Sequence, residues 1–320
     1  MTNNNVFEKR SINHLIVLFS FPTICSLVLE SLTSMVDTIF AGHLENSNVA
    51  LSAMGIISPI LLILITAQLI FGVSTSLVIS KRLGENNKEK INNTFKVGFY
   101  ASLIWSSVIS LIIFLFQNML LKMLGSSGEV MILAKEYLSI AIIFNVFSTV
   151  GYMLINNVRV LGYPNILIIV GVLATVINIV FIGIFHMGIT GIALATLVSE
   201  VFYFSFSFIF LIKKGLWIKK SSLSLQEAKE ILISLVKIGF VQFLMQALNS
   251  VSAIFINKVL ISYGSFLYVG TWSICGNINM IVLLPLIGLT QGVQSIIAYF
   301  HGKQDKDKER ITKHKVFKYS

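Results

Sequence analysis

Long apolar runs, separated by short polar segments, dominate the chain. Eight of these runs reach or exceed the roughly 20 residues that a helix needs to cross a hydrocarbon core about 30 Å thick. They lie at approximately residues 14–40, 50–79, 95–117, 131–157, 165–185, 190–212, 235–260 and 268–299. Apolar residues are continuous within each run instead of alternating, which favours helices over membrane-spanning strands. The pattern therefore predicts an all-α polytopic membrane protein with eight transmembrane helices.

The composition is too poor in charge for a water-soluble fold. Hydrophobic residues make up 55% of the 320 residues, and Asp, Glu, Lys and Arg only 12%, about half of the roughly 25% that is usual in globular domains. Two cysteines and four prolines also exclude a disulfide scaffold and a collagen-like chain. The lipid bilayer is therefore the first partner that we expect.

The 24 basic residues outnumber the 14 acidic ones and give a net charge of +10. If the N-terminus lies in the cytoplasm, all basic residues except Lys122, Lys135 and Lys258 fall on the cytoplasmic side. Such an excess is typical of cytoplasmic loops. We expect a multi-pass protein of a bacterial-type cytoplasmic (inner) membrane, with its N-terminus and the tail after residue 300 in the cytoplasm. Because topology accounts for the positive charge, no nucleic-acid partner is expected.

The chain contains an internal repeat. Residues 84–90 (GENNKEK) match residues 302–308 (GKQDKDK), and two upstream segments match at nearly the same offset of 216 to 218 residues. That offset contains six predicted helices, an even number, so both copies cross the membrane in the same sense. Parallel repeats of this kind occur in secondary transporters. The repeat predicts a complete six-helix N-terminal lobe at residues 1–217. An incomplete C-terminal lobe follows at residues 218–320, with an interfacial linker, helices 7 and 8 and a basic tail.

Several segments resemble motifs of the multidrug and toxic compound extrusion (MATE) transporters, in the family's order along the chain. They are residues 35–44 (MVDTIFAGHL), 159–165 (RVLGYPN), 188–196 (GITGIALAT), 263–264 (YG), Pro285 and 288–294 (GLTQGVQ). The resemblance implies twelve helices in two six-helix lobes, and a monomer for a full-length form. By that count this chain carries one lobe and the first third of another. An inactive truncated fragment is therefore one alternative, and self-association is conceivable for so short a chain.

Acidic residues inside the apolar runs are the first candidates for function, because ionisable groups are costly in a membrane. Glu30 and Asp37 are seven residues apart and share one helix face. A carboxylate that faces a cavity in an apolar bundle can exchange a proton or bind a cation. Asp37 is also compatible with simple solvation at a helix end.

The resemblance implies that Asp37 stands at the position of the coupling aspartate of one MATE subgroup, and it indicates which residues accompany Asp37. Asn178 and Thr196 match two further residues of that subgroup's ion site, but Ile182 replaces its second acid. Losing one carboxylate weakens an oxygen cage for sodium, so the sequence favours H⁺ and leaves Na⁺ open. Neither a cofactor nor any metal besides a coupling Na⁺ is expected. An interhelical hydrogen bond is an equal interpretation of Asn178.

Glu200, in the sixth run, is a second candidate for the substrate cavity beside Glu30. It is suited to attract a cationic substrate, and equally to pair with a lysine of a neighbouring helix. Arg159, by contrast, is interpreted as a loop residue that anchors its helix on the cytoplasmic side. Ser224 and Glu227 have the spacing of a capping box and predict a short amphipathic helix before the seventh run.

The sequence thus predicts a secondary active antiporter that exports amphipathic or cationic organic compounds in exchange for H⁺ or Na⁺ by alternating access. Small organic cations or drugs are the expected substrates. A flippase for lipid-linked saccharides, from the same wider superfamily, is an alternative, although such cargo favours a basic cavity. A membrane-embedded enzyme such as a prenyltransferase needs clustered acids for magnesium and diphosphate. The sequence has no such cluster, so no enzymatic activity is expected.

Overall fold

A computed structural model of the chain describes residues 5–185, 187–216, 223–263 and 266–319. Within them every regular element is a helix, as the apolar runs predict. The ten helices are α1 (Asn5–Lys9), α2 (Ile12–Gly42), α3 (Ser47–Gly84), α4 (Lys88–Met123), α5 (Gly128–Val160), α6 (Ile166–Phe185), α7 (Gly188–Lys213), α8 (Leu225–Tyr263), α9 (Phe266–Gly302) and α10 (Lys306–Tyr319).

Seven helices in the described part of the chain are long and apolar enough to cross a membrane. Six are α2 to α7, and the seventh is the Val282–Gly302 portion of α9. The seventh predicted run, residues 235–260, lies inside α8, but many of its side chains, including that of Lys258, fall outside the described residues. The protein is an all-helical, multi-pass membrane protein, and the count of eight spans stays a prediction.

Polar residues just before the helices explain where several of them begin. The Ser11 hydroxyl accepts a hydrogen bond from the His14 backbone N–H, and the Asn87 amide oxygen accepts one from the Lys90 N–H. Such side chains satisfy backbone donors that have no partner within the helix. Pro22, Pro59 and Pro285 lie inside α2, α3 and α9, which continue through them. Neighbouring helices in a bundle compensate the hydrogen bond that each proline removes.

Two large apolar clusters lie at opposite ends of the helical bundle. One contains Phe19, Leu161 and Tyr299, and lies at the end where the turns α3–α4, α5–α6 and α9–α10 are found. We call this end the basic end, because Lys81, Arg82 and Lys303 are there. The other cluster contains Ala41, Leu121 and Ile189 beside the turns α2–α3, α4–α5 and α6–α7, and we call that end the distal end.

The helix α9 packs against α2 and α3, and α8 packs against α3. The Ser20 hydroxyl on α2 donates to the Leu289 carbonyl oxygen on α9 over 3.3 Å. The Ser80 hydroxyl on α3 donates to the Ser295 carbonyl oxygen over 2.6 Å. Hydroxyl-to-carbonyl contacts of this type hold helices together where lipid supplies no hydrophobic driving force. They join the first helices of the chain to its last ones near the basic end.

The repeated turns have the same conformation, which supports the repeat inferred from the sequence. Asn86 and Gln304, 218 residues apart, are the non-glycine residues with positive φ in the described chain, at 54° and 60°. The Asp305 carboxylate caps the Lys308 N–H as Asn87 caps Lys90. Thr94 and Thr312 likewise donate to the carbonyl oxygens of Lys90 and Lys308. The start of α10 is thus the counterpart of the start of α4.

The short helix α1 closes the basic end from outside. The Phe7 ring stacks on the rings of Phe19 and Tyr299, at centroid distances of 4.9 and 4.3 Å. Glu8 forms an ion pair with Lys303, with 2.5 Å between Oε1 and Nζ. The Lys303 ammonium donates to the Glu8 carboxylate and lowers its pKa from the ordinary value of 4.5. The N-terminal segment therefore contacts both α2 and the α9–α10 turn.

The segment before the seventh run differs from the expectation of a separate amphipathic helix. Ser224 does cap the Glu227 N–H, but α8 runs without a break from Leu225 to Tyr263. The Glu227 carboxylate accepts a hydrogen bond from the Asn93 amide on α4 instead of completing a capping box. The tail after residue 300 contains a further helix, α10, which begins at Lys306.

Candidate ion and cargo site

A cavity of about 270 Å³ lies between α2, α3, α5, α6 and α7. Its walls are mainly apolar, and all of Glu30, Asp37, Thr196 and Glu200 line it. Asn178 is fully buried just behind the wall, within hydrogen-bond distance of Thr196. The five candidate residues chosen from the sequence therefore come together around one cavity.

Asp37 is buried beside Thr196, not solvated at the end of its helix. Its side chain is only 6% exposed, and its Oδ2 accepts a hydrogen bond from the Thr196 hydroxyl over 3.2 Å. The Asn178 amide donates to the same hydroxyl over 3.3 Å. These contacts join α2, α6 and α7 through one short polar chain. Asn178 thus makes the interhelical bond expected of it, and does so next to the carboxylate.

The Thr196 hydroxyl faces two acceptors but carries a single proton. Besides Asp37 Oδ2, the Ile192 carbonyl oxygen lies 3.1 Å away. A hydroxyl donates only one hydrogen bond, whereas a protonated carboxyl group is itself a donor. An ionised Asp37 therefore draws the Thr196 proton to itself. A protonated Asp37 can donate to Thr196, whose own proton then turns to Ile192.

Two oxygens of this polar chain have no donor. Asp37 Oδ1 and Asn178 Oδ1 are both buried without a hydrogen-bond partner in the described part of the structure. Buried acceptors of this kind are rare, because each loses its hydration without compensation. Each of these oxygens is therefore free to accept a hydrogen bond or to contact a cation.

Ile182, on the next turn of α6 after Asn178, makes the surroundings apolar. It is 7% exposed and belongs to the distal apolar cluster. Asp37 is therefore the single carboxylate of the polar chain. Among the described residues no group of three or more His, Cys, Asp and Glu has metal-binding geometry.

Glu30 and Glu200 lie deeper in the same cavity, towards the basic end. Seven residues separate Glu30 from Asp37 on α2, about 10 Å at the 1.5 Å rise of an α-helix. Glu30 is exposed to the cavity, and Glu200 is partly exposed. No lysine or arginine in the described chain is within ion-pair distance of Glu200. The expected pairing of Glu200 with a lysine is thus not found there.

Arg159 is a site residue that the sequence interpretation missed. Instead of lying in a loop, its side chain is 1% exposed and donates from Nη1 to the Thr23 hydroxyl over 2.8 Å. Tyr137, Tyr152 and Tyr203 line the main cavity, whereas Arg159 is not among its lining residues. Tyrosines and an arginine near a loop motif carry little signal in a single sequence, because most of them pack or snorkel.

The comparisons with known proteins agree with this arrangement. A family model described as MatE matches residues 22–184, just over half of the chain. The multidrug export protein MepA of Staphylococcus saprophyticus is 28% identical over 298 residues, which are 92% of this chain and 65% of that protein. MepA of Staphylococcus haemolyticus gives the same values. The chain thus spans 65% of the length of these curated relatives.

Solved structures share the fold. A crystal structure of MATE in the bent conformation superposes with a TM-score of 0.91 at 25% identity, over 100% of this chain and 72% of that one. A MOP superfamily transporter from Pyrococcus furiosus, described by the reverse polarity of its binding pocket, gives 0.90 at 24% identity, over 100% and 71%. The matched family model, the order of the helices and the intramembrane polar site lead to one assignment. The chain belongs to the MatE family.

Proposed function

We propose that this protein is a secondary active antiporter, which exports amphipathic cationic organic compounds in exchange for protons. The observation that carries the proposal is the buried Asp37, with one orphaned oxygen, on the wall of a cavity that holds two more carboxylates. An acidic, mainly apolar cavity suits a cation with a hydrophobic body. The MepA relatives bear the name of multidrug export proteins, which is the activity we extend to this chain.

Protons suit the Asp37 site better than sodium does. Sodium, a hard cation, needs several oxygen ligands, and the apolar Ile182 stands one helical turn after Asn178 where another ligand would be useful. Protonation needs only one carboxylate and a place for its hydrogen bond. Asp37 is that carboxylate, and Thr196 and Asn178 offer places for its hydrogen bond, because the Thr196 hydroxyl can turn from donor to acceptor and Asn178 Oδ1 lacks a donor.

Alternating access would couple the two fluxes. In this cycle residues 1–217 form one lobe, and residues 218–320 belong to a second lobe related to it by the repeat. The basic end would face the cytoplasm, following the positive-inside rule. Protonation of Asp37 removes a buried charge and turns the Thr196 hydroxyl, so it changes how α2 packs on α7. A ligand shifts such an equilibrium only through its different affinity for the two states.

The Asp37→Asn variant tests this assignment, because it keeps the shape of the side chain and removes its titration. With the protein in liposomes, a pH gradient should drive tetraphenylphosphonium transport in the wild type, and at least about tenfold less in Asp37→Asn. Glu129→Gln, at an exposed position near the distal end, is the matched control and should transport normally. Undiminished pH-driven transport by Asp37→Asn would refute the coupling role. Transport driven by a sodium gradient alone would replace H⁺ with Na⁺.

A further inference from the structure

A second, much smaller cavity lies directly below the acidic part of the main one. It has a volume of about 10 Å³, close to the space of a single water molecule. Ser26, Glu30, Tyr152 and Tyr203 line both cavities, so the small one is the floor of the large one. Arg159 lines only the small cavity.

Arg159 is buried there without a carboxylate partner. No Asp or Glu in the described residues is within ion-pair distance of it, and its Nε has no hydrogen-bond acceptor. The bond from Nη1 to Thr23 is neutral on the acceptor side. Burying a guanidinium in this way costs several kcal/mol unless an anion compensates it. Glu30 is the carboxylate that shares its cavity.

The Glu30 carboxylate, like the Arg159 guanidinium, has no partner of opposite charge in the part of the chain that the structure describes. No hydrogen bond or ion pair holds its carboxylate among the described residues, and it is exposed to the main cavity. Glu200 lines the same cavity from α7. Two carboxylates above and one guanidinium below therefore occupy connected space.

We propose that Glu30 and Glu200 form the subsite for the positive centre of the cargo, separate from Asp37, and that Arg159 is a resident cation that competes with the cargo for Glu30. This inference rests on the proposed function. Arg159 is a positioning residue, since it acts on the cargo only through Glu30. Its positive charge opposes the attraction between the acidic pair and the cargo, which limits how tightly a monovalent cation is held and lets it leave again.

The separation from Asp37 follows from the surroundings of the two acids. Asp37 is buried and already has a hydroxyl donor, which suits a proton and leaves little of its surface for contact with an organic cation. Glu30 is open to the cavity, beside the aromatic rings of Tyr152 and Tyr203. Aromatic faces and carboxylates together are the usual surroundings of bound organic cations.

Equilibrium binding to the purified full chain in detergent micelles tests the proposal without requiring transport. The probes are tetraphenylphosphonium and its uncharged analogue triphenylphosphine oxide. Glu30→Gln and Glu200→Gln should each weaken tetraphenylphosphonium binding about tenfold, the size of one charge-assisted contact, and leave the uncharged probe unchanged. Glu129→Gln is again the matched carboxylate control and should alter neither.

The variants of Arg159 have the opposite sign. Arg159→Met should tighten tetraphenylphosphonium binding by about threefold to tenfold, and Arg159→Lys should restore the wild-type value. In the Glu30→Gln background, Arg159→Met should have no further effect. A merely structural arginine would weaken the binding of both probes when it is replaced, and that result would overturn the proposal for Arg159.

Thr23→Val provides a second route if Arg159→Met does not fold. Without its Thr23 acceptor, Arg159 is free to turn towards Glu30, so tetraphenylphosphonium binding should weaken while the uncharged probe is unaffected. Unchanged binding in Thr23→Val would then count against the competition. Wild-type binding with no loss in Glu30→Gln and Glu200→Gln would refute the cargo subsite alone. Failure of the wild type to bind tetraphenylphosphonium would instead refute the cargo class of the proposed function.

Discussion

At the scale of single residues, burial and the available donors decide what a carboxylate in the membrane can do. Asp37 and Glu30 lie on the same face of α2 and both carry a carboxylate. Asp37 is 6% exposed and accepts a hydrogen bond from Thr196, whereas Glu30 is open to the cavity. Protonation of a buried acid that has one bonded and one unpaired oxygen changes both its charge and its hydrogen bonds. An open acid responds to whatever cation enters. This difference supports the proposed roles, coupling for Asp37 and cargo binding for Glu30.

The Ile182→Asp variant tests why the site favours protons. Ile182 is one turn from Asn178 on α6 and is buried, so an aspartate there would add a second carboxylate near Asp37. Without a cation, its burial in the distal apolar cluster should lower the free energy of unfolding by a few kcal/mol. Sodium should restore much of that loss. The measurement is thermal unfolding in detergent, with sodium chloride compared against choline chloride.

Ile182→Asn is the matched control for this variant, because it adds a polar group without a charge. It should be destabilised to a similar degree, with little response to sodium. A sodium response of the same size in the wild type would contradict the assignment of protons to this site.

Residues of the candidate site were predictable from the sequence where a polar or ionisable side chain interrupts an apolar run. An aspartate, a glutamate or an asparagine in an apolar run is conspicuous, and Asp37, Glu30, Glu200 and Asn178 all line or adjoin the cavity. Arg159 was assigned wrongly, because its position next to Gly162 and Pro164 suggests a loop. Its burial depends on the packing of α2 and α5, which no local pattern reports.

At the scale of elements, the crossing of α3 and α9 closes the basic end. Each helix ends in a glycine, Gly84 or Gly302, placed 218 residues apart like the two turns. A β-carbon on Gly84 would lie 2.7 Å from the Lys303 backbone nitrogen, and one on Gly302 would lie 2.8 Å from the Lys81 carbonyl carbon. Real β-carbons do not approach backbone atoms so closely, so each glycine permits the other helix to approach.

Alanine at either position should separate the two helices. Gly84→Ala and Gly302→Ala should each lower the free energy of unfolding by roughly 1–3 kcal/mol, the usual cost of forcing a methyl group into a packed contact. Thermal unfolding in detergent measures this loss. Gly183→Ala on α6 is the control, because no atom lies within 4 Å of its new β-carbon. It should be neutral or slightly stabilising, and an equal loss in all three variants would show that the crossing is not special.

The helices themselves were largely predictable, since each long apolar run falls inside one helix. The continuity of the helices was harder to predict. A proline in a helix interior often ends the helix, yet α2, α3 and α9 each continue through theirs. Ser224 marks the true start of α8, but the capping-box spacing of Glu227 has another use, the hydrogen bond to Asn93.

At the scale of the whole molecule, the repeat explains why the first and last helices meet at one end. The turns at Gly84 and Gly302 have the same backbone geometry and pack beside each other, while the ion pair of Glu8 with Lys303 adds a contact from α1. The cavity, by contrast, belongs to α2, α3, α5, α6 and α7. The described helices thus close at the basic end, and the acidic cavity lies among the first six long helices.

In the proposed exchange, cargo and proton alternate in this cavity, and Asp37 holds the proton. Proton release on cargo binding tests it most directly, measured with a pH indicator in weakly buffered detergent solution as tetraphenylphosphonium is titrated into the purified protein. We expect the wild type to release about one proton per bound cation, and Asp37→Asn to release none although that variant still binds the cation. Binding without proton release in the wild type, or equal release by Asp37→Asn, would contradict it.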